Sequence, residues 1–327
     1  MKRSSLLIFA LLSGAAAAVL HASMILFTPL SALLFYLAPL PLFIAGLSQG
    51  WSAAAAGGVI GALTLGGLWG PKSGLFFFLA TAVGPIFLSR LALVSRPAQG
   101  PASEGEAIGG GAQWYPEGRL LLWAAAMAGA LLTLVILAFG PDAESFKSTL
   151  KQAAGHMTRP LAANIPAERQ GEFQRFLDLL VLLAPAASAA AWLIAMTINL
   201  RLASRITVAS GMSLRPWAPF SSLAFPRSSG LALAAACGLS LMPGTAGLFG
   251  MVFAAPLLTA FAILGLAVIH HLLLGHGARV PLLAGLYGAL ILMSWILVVP
   301  LIALGLAELG LNLRARFKPL PPVKHRN

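Results

Sequence analysis

The sequence predicts an all-α protein, a polytopic transmembrane bundle of about eight to ten helices. Hydrophobic residues make up 59% of its 327 residues and charged residues only 9%, whereas a typical soluble domain carries about 25% charged residues. A surface so poor in charge needs lipid as its main solvent. Helices follow from that solvent, because an α-helix satisfies its own backbone hydrogen bonds inside a bilayer.

Apolar runs of spanning length place the individual helices, since a span needs about 20 apolar residues. We predict spans at 6–27, 30–47, 51–69, 73–94, 120–139, 177–200, 230–242, 248–274 and 281–313. The run at 230–242 is short enough to be re-entrant. The final run is long for one helix and short for two, and Pro300 is the expected hinge if it forms two segments.

The segments between the runs divide the chain into four predicted regions. These are an N-terminal four-helix membrane region at 1–95, a flexible Gly-rich loop at 96–118, C-terminal membrane helices at 119–313 and a basic cytoplasmic tail at 314–327. The third region contains an extramembrane segment at 141–176. An amphipathic helix is expected in its first half, because Phe146, Leu150, Ala153 and Met157 recur at helical spacing.

The N-terminus admits two interpretations. Lys2 and Arg3, an apolar stretch and a run of alanines up to Ala18 are typical of a cleaved signal peptide. The apolar character resumes at Met24, however, which favours an uncleaved span. We therefore expect the first span to remain in the protein.

Charge clusters beside the runs orient the bundle in a bacterial inner membrane. Lys2 and Arg3 favour a cytoplasmic N-terminus, and the loop 201–229 should also be cytoplasmic because it carries four arginines and no acidic residue. The segment 141–178 has five basic and five acidic residues, so it can lie outside. The tail carries five basic residues and should be inside, whereas nine spans would place it outside.

A stripe of small residues, Ala10, Gly14 and Ala18, runs along the first span. Small residues at every fourth position let two helix backbones approach closely, so this stripe is a candidate docking face for a partner subunit. Ordinary alanine richness is the alternative, since alanines fill the positions between. Gly57 and Gly61 repeat the spacing in the third span, where close packing inside the bundle is the favoured interpretation.

Two prolines interrupt the second span and make it a candidate solute site. Pro39 and Pro41 must kink or unwind the helix, because neither has a backbone donor. Broken helices can bind solutes through the backbone groups that the break frees. A helix that ends at the membrane surface shortly before Gly46 is the alternative.

Three further solute-site candidates are polar or ionisable residues in or near spans: Asn199, His270 and Glu308. Such residues are costly in lipid and are therefore functional candidates. His270 could face a cavity. Glu308 lies close to the basic tail and could instead form an ion pair with Arg314.

Several other classes of site are not indicated. His270, His271 and His276 do not share one helix face, so we expect no metal site, and Cys237 is the only cysteine, which leaves no disulfide. The sequence contains no phosphate-binding loop, metalloprotease motif or nucleophile elbow, so we expect no catalytic residue, no cofactor and no enzymatic activity. The net charge of +12 falls in clusters beside spans and not in a basic stripe, which argues against a nucleic-acid partner.

Four motifs, taken in order, resemble a known family. They are Pro39-Leu-Pro41 followed by 46–51, Asn199 to Ala203, Gly265 to His270, and Gly305 to Glu308 leading to Arg314. This order resembles the DUF2232 family of bacterial membrane proteins, which includes the YybS-like proteins. The ending departs from the pattern expected of the family, with Glu308 and Leu311 in place of Asp and Trp.

The resemblance implies a transport role. The N-terminal spans of the family are similar to the substrate-binding S-components of energy-coupling-factor transporters, in which a small-residue stripe on the first helix docks on a membrane coupling subunit. Ala10, Gly14 and Ala18 fit that stripe, with Gly in place of one Ala. The implied function is a transport-type membrane subunit that binds a small solute and depends on partner proteins for energy. A non-transporting scaffold for cell-envelope or division machinery is the alternative, and an enzyme acting on lipid-linked substrates has thinner support.

Overall fold

The chain is almost entirely helical in the computed structural model, which describes residues 3–97, 112–140, 142–162 and 164–317. The helices are α1 Arg3–Ala22, α2 Pro29–Leu37, α3 Leu40–Gln49, α4 Trp51–Trp69, α5 Pro71–Phe77, α6 Val83–Ala92, α7 Glu117–Phe139, α8 Ala143–Ala162, α9 Gln170–Ala209, α10 Ser228–Ser240, α11 Gly244–Leu272, α12 Arg279–Leu311 and α13 Leu313–Arg316. A π-helical turn, Phe78–Ala82, joins α5 to α6. Two short strands, β1 Ser95–Pro97 and β2 Ala112–Trp114, lie between α6 and α7.

This architecture confirms the predicted all-α membrane bundle. Within the described residues, seven helical stretches are long and apolar enough to cross a membrane. Three further apolar helices are shorter: Ser228–Ser240, Arg279–Met293 and Ile296–Leu311. The third predicted span coincides with α4, because two glycines with positive φ, Gly50 and Gly70, stop the helix at either end.

The sixth predicted span is too short. Helix α9 has 40 residues and begins at Gln170, inside the segment predicted to lie outside the membrane. It also continues through the first part of the predicted loop 201–229 and ends at Ala209. The reason is propensity: arginine, leucine and alanine favour helix, so the charges at Arg201 and Arg205 mark the end of the apolar run and not the end of the helix.

The predicted flexible loop at 96–118 is structured at both ends. β1 and β2 pair antiparallel, with Ser95 opposite Trp114 and Pro97 opposite Ala112. The Nε of Arg96 donates to the side-chain oxygen of Gln113 at 2.7 Å across this pair. The loop prediction is therefore wrong for these ends, and its glycine-rich centre, 98–111, lies outside the described residues.

Two compact units make up the chain. Unit 1 comprises Met1–Ala124 and Ile194–Ala224, and unit 2 comprises Ala125–Leu193 and Phe225–Asn327. The boundaries fall within α7 and α9, so the predicted division at residues 95 and 118 is not the one that the contacts define. Unit 1 holds α1 to α6 together with the strands, and unit 2 holds α8 and α10 to α13.

The small-residue stripe of α1 packs against α4 inside unit 1. Ala10 and Ala18 are buried, and a Cβ added to Gly14 would collide with the carbonyl oxygen of Gly57. A Cβ on Gly61 would lie 2.6 Å from the Phe77 ring and 3.1 Å from the Gly14 carbonyl oxygen. Close packing by the α4 glycines is confirmed. The stripe predicted to dock a partner is instead covered by the same chain, because two complementary small-residue stripes let the backbones meet.

Unit 2 contains a second pair of helices in backbone contact. A Cβ on Gly265 of α11 would collide with the carbonyl oxygen of Leu301, and a Cβ on Gly305 of α12 would collide with that of Phe261. Val252, Phe261 and Leu264 of α11 are fully or almost fully buried. Small residues again set the distance between two helices, here between α11 and the second half of α12.

Helix α12 is broken at Met293, where φ is −132° and ψ is 35°. The final run therefore forms two helical segments, as one of the predicted alternatives requires, but the predicted hinge at Pro300 is wrong. Arg279, at the start of α12, lies within electrostatic range of His270. Glu308 and Arg314, at and beyond its end, lie within range of the neighbouring His271. Helix α12 thus begins and ends near the same end of α11.

Helix α8 is the amphipathic helix predicted for the extramembrane segment. Its Ala143 and Phe146 are buried, and the Ala143 amide donates to the hydroxyl of Thr245 in α11 at 3.2 Å. Lys151 forms a 2.6 Å ion pair with Asp178 of α9. The first turns of α8 therefore pack on the bundle.

Candidate functional site

The structure brings together three of the five predicted solute-site residues in unit 1. The second span breaks at Pro39, between α2 and α3, as predicted. Beside this break, the Nδ2 of Asn199 donates to the carbonyl oxygens of Tyr36 and Ala195, each at 2.7 Å. Asn199 is almost fully buried, and its Oδ1 has no partner among the described groups. A buried acceptor thus lies next to the helix that Pro39 and Pro41 interrupt.

The other two predicted residues belong to unit 2 and have local partners. Glu308 is buried and accepts from the Nε of Arg314 at 2.8 Å and from the Arg314 amide at 3.1 Å. The ion pair that we considered for Glu308 is confirmed, and it closes the C-terminal end of α12. The Nε2 of His270 lies 2.9 Å from the phenolic oxygen of Tyr287.

His21 makes a polar contact inside the first span. Its Nδ1 lies 2.8 Å from the hydroxyl of Thr81, which sits on the π-helical turn. The imidazole is surrounded by the rings of Phe35, Phe76 and Phe77, with centroids 4.8 to 5.6 Å away. This hydrogen bond and the aromatic contacts account for a histidine in a span.

A pocket of about 260 Å³ lies where the strands meet the loop after α9. All of its lining residues belong to unit 1. One wall is the segment 112–118, which contains β2 and the start of α7, and the other consists of residues 215–218 and 222–224. Two backbone hydrogen bonds hold these walls in place: Tyr115 N to Val94 O at 2.9 Å and Leu214 N to Leu47 O at 3.2 Å.

Arg215 is the central side chain of this pocket and is only 7% exposed. Its Nη1 donates to the carbonyl oxygens of Ala92 at 2.8 Å and Tyr115 at 3.1 Å, and its Nε donates to that of Pro216 at 3.1 Å. Burial lowers the pKa of the Arg215 guanidinium from its ordinary value, while the charge of Glu117 acts in the opposite direction. The guanidinium thus joins α6, β2 and the loop while its charge stays out of water.

Two indole rings flank the guanidinium. The Arg215 carbon Cζ lies 4.5 Å from the ring centroid of Trp217 and 5.8 Å from that of Trp114, a distance at which a cation is attracted to an aromatic face. The Nε1 atoms of both rings are buried, and neither has a hydrogen-bond partner in the described part of the chain. A buried indole N–H normally has a partner, so two such donors beside one pocket require an explanation.

Glu117 supplies the only acidic group among the described residues that line the pocket. Its Oε2 forms a 2.8 Å ion pair with Nη2 of Arg201, and its Oε1 accepts from the Ala218 amide at 2.8 Å. Arg201 also packs its guanidinium over Phe220. Both oxygens of Glu117 are therefore engaged by the protein itself.

Sequence reasoning missed this pocket because its parts are far apart in the chain. Glu117 lies at the start of a helix and Arg215 in a loop, and neither tryptophan belongs to a motif identified in the sequence. A usable signal was present: the segments 114–119 and 215–219 each combine tryptophan, proline and a charged residue between spans. No group of three potential metal-ligating side chains is found within the described ranges.

The seven helical stretches of spanning length in the described part of the chain define an integral membrane protein of the polytopic α-helical class. A family model described as "Predicted membrane protein (DUF2232)" matches residues 113–309, more than half of the chain. The chain therefore belongs to the DUF2232 family. No curated protein and no solved structure matches it. The matched region contains Glu117, Asn199 and Arg215, whereas the motif at Pro39 precedes it.

Proposed function

We propose that this protein is a transport-type membrane subunit that binds a small solute and takes its energy from partner proteins. The observation that carries the proposal is the pocket around Arg215. Ligand sites are concave and use a few well-placed polar groups. This pocket has a buried cation and, beside it, two buried indole donors without a partner among the described residues. Such groups would cost stability in a pocket that served only to join loops.

The broken second span gives secondary support. Discontinuous helices are a frequent element of transport sites, and the break at Pro39 lies beside a buried amide oxygen of Asn199. The resemblance of the first four spans to S-components, which rests on sequence motifs alone, would imply the same class of protein. Partner subunits would have to bind elsewhere than the stripe of Ala10, Gly14 and Ala18, since α4 covers it.

Bound solute can be tested directly with protein purified from its native host in lipid particles. Small molecules released on denaturation are identified by mass spectrometry for the wild type, Arg215→Gln and Arg205→Gln. Arg205 is an exposed arginine of α9 that does not line the pocket, so its replacement removes the same charge elsewhere in unit 1. We expect one compound at near-stoichiometric amount in the wild type and in Arg205→Gln, and at least about tenfold less in Arg215→Gln, because a charge-assisted hydrogen bond is lost.

The same preparation tests the dependence on partners. A coupling subunit should be retained at a fixed ratio together with the solute. Preparations in which the wild type and Arg215→Gln carry the same molecules, and no subunit is retained, would contradict the transport proposal and favour the scaffold alternative.

The proposed orientation is a cytoplasmic N-terminus in the inner membrane, with the loop 201–229 inside and α8 outside. Lys151→Cys and Arg227→Cys, each in a Cys237→Ser background, place one thiol on each side at exposed positions. A membrane-impermeant maleimide should label position 151 in intact cells and position 227 only after permeabilisation. Labelling of position 151 only after permeabilisation would reverse the orientation.

A further inference from the structure

The pocket around Arg215 carries an uncompensated positive charge. Every hydrogen bond of the Arg215 side chain within the described chain goes to a neutral carbonyl oxygen. The nearby carboxylate of Glu117 is committed to Arg201 and to the Ala218 amide. Arg201, Glu117 and Arg215 together sum to one positive charge. Buried charges in proteins are normally paired, so a negative partner is missing from this group.

The unoccupied hydrogen-bonding groups of the pocket are donors. Nη2 of Arg215 makes no hydrogen bond to the described residues, because the bonds of this side chain use Nε and Nη1. The indole N–H groups of Trp114 and Trp217 are also without acceptors there. Glu117, the only carboxylate among the described residues that line the pocket, already accepts from Arg201 and from the Ala218 amide. A ligand that complements this wall must therefore accept hydrogen bonds and bring negative charge.

We infer that the pocket binds an oxyanion, a carboxylate or phosphate group, through Nη2 of Arg215, and that binding turns the indole donors of Trp114 and Trp217, which are closed to solvent in this structure, toward the same group. This inference rests on the proposed solute-binding function and names the chemical class of its ligand. Guanidinium groups suit carboxylates and phosphates because their N–H groups match the geometry of the two oxygens. The oxyanion can belong to a soluble molecule or to the headgroup of an anionic lipid, since the pocket lies at the end of spans.

Thermal stability of the delipidated full-length protein in a neutral detergent tests the ligand class. Inorganic phosphate and acetate are titrated against sodium chloride at equal ionic strength. We expect a saturable rise in the unfolding temperature with at least one oxyanion. In Arg215→Gln the apparent affinity should fall by at least about tenfold, since a charged hydrogen-bond donor is removed. Arg205→Gln, which removes an exposed charge, should behave like the wild type.

A second variant keeps the test decisive if Arg215→Gln does not fold. Trp114→Phe combined with Trp217→Phe retains both aromatic rings and removes only the two N–H donors. Because those donors have no partner among the described residues, the variant without ligand should be as stable as the wild type or more so. Its oxyanion affinity should fall by about threefold to tenfold per donor lost.

Lipid discs distinguish the two sources of the oxyanion. The ligand is a lipid headgroup if phosphatidylglycerol stabilises the wild type more than phosphatidylcholine does and soluble anions have no effect. This difference between the two lipids should disappear in the double tryptophan variant. Equal stability in all anions and both lipids, or an oxyanion effect that both variants retain, would overturn the inference. A neutral compound that is released from the wild type but not from Arg215→Gln would uphold solute binding and overturn the oxyanion assignment.

Discussion

Gly14→Leu is expected to remove most of the folded protein, with a loss of about 3 kcal/mol or more in the free energy of unfolding. Even a single Cβ at this position would collide with the carbonyl oxygen of Gly57. A backbone atom cannot rotate away as a side chain can, so α1 and α4 would have to separate. Size-exclusion chromatography of detergent-solubilised protein, with the unfolding temperature of whatever remains, measures the loss.

Gly67→Leu is the matched control for this substitution. It makes the same change in α4, at an exposed glycine whose added Cβ would meet nothing within 4 Å. We expect normal yield and an unfolding temperature close to that of the wild type. If Gly14→Leu folded as well as Gly67→Leu but lost a partner subunit, the stripe would be a docking face after all, and the packing of α1 on α4 would be wrong.

Glu117→Gln is expected to give the second largest effect, a loss of about 2 to 3 kcal/mol in the free energy of unfolding. The substitution leaves Arg201 without its counter-ion in a site largely removed from water. The Glu117 side chain is 10% exposed and that of Arg201 is 28% exposed. Glutamine keeps the size and can still accept from the Ala218 amide, so the change isolates the charge. Thermal unfolding in detergent measures the loss.

Two further variants serve as comparisons for Glu117→Gln. Glu144→Gln breaks the exposed pair of Glu144 with Lys147 and should change stability by less than about 0.5 kcal/mol, as is usual for surface pairs. Adding Arg201→Gln to Glu117→Gln should recover part of the loss, since the unpaired charge is then gone. A double variant as unstable as the sum of the two single variants would show that the two side chains are not coupled.

Local features of the fold could be predicted because lipid imposes a length and a polarity on each segment. The span at 51–69 follows from its apolar length and its flanking glycines, and the break at Pro39 follows from a missing backbone donor. The extension of α9 could not be inferred in the same way. A helix that leaves the membrane loses its apolar signal while keeping its backbone hydrogen bonds.

The features that could not be predicted depend on contacts between residues that are far apart in the sequence. Asn199 bonds to Tyr36, 163 positions away, and Arg215 bonds to Ala92, 123 positions away. Neither partner is marked in the sequence, because a carbonyl oxygen looks the same at every residue. The stripe of Ala10, Gly14 and Ala18 shows a different limit: small residues predict that two helices meet but not whether the second helix belongs to the same chain.

The break at Met293 decides how the C-terminal part of the chain crosses the bilayer. The two halves of α12, Arg279–Met293 and Ile296–Leu311, have 15 and 16 residues. At 1.5 Å per residue each is about 23 to 24 Å long, whereas the hydrocarbon core is about 30 Å thick. Neither half reaches across on its own, and both ends of α12 lie near His270 and His271. We therefore expect the helix to enter and leave by one leaflet. Arg279, Arg314 and Arg316 would then share one membrane face.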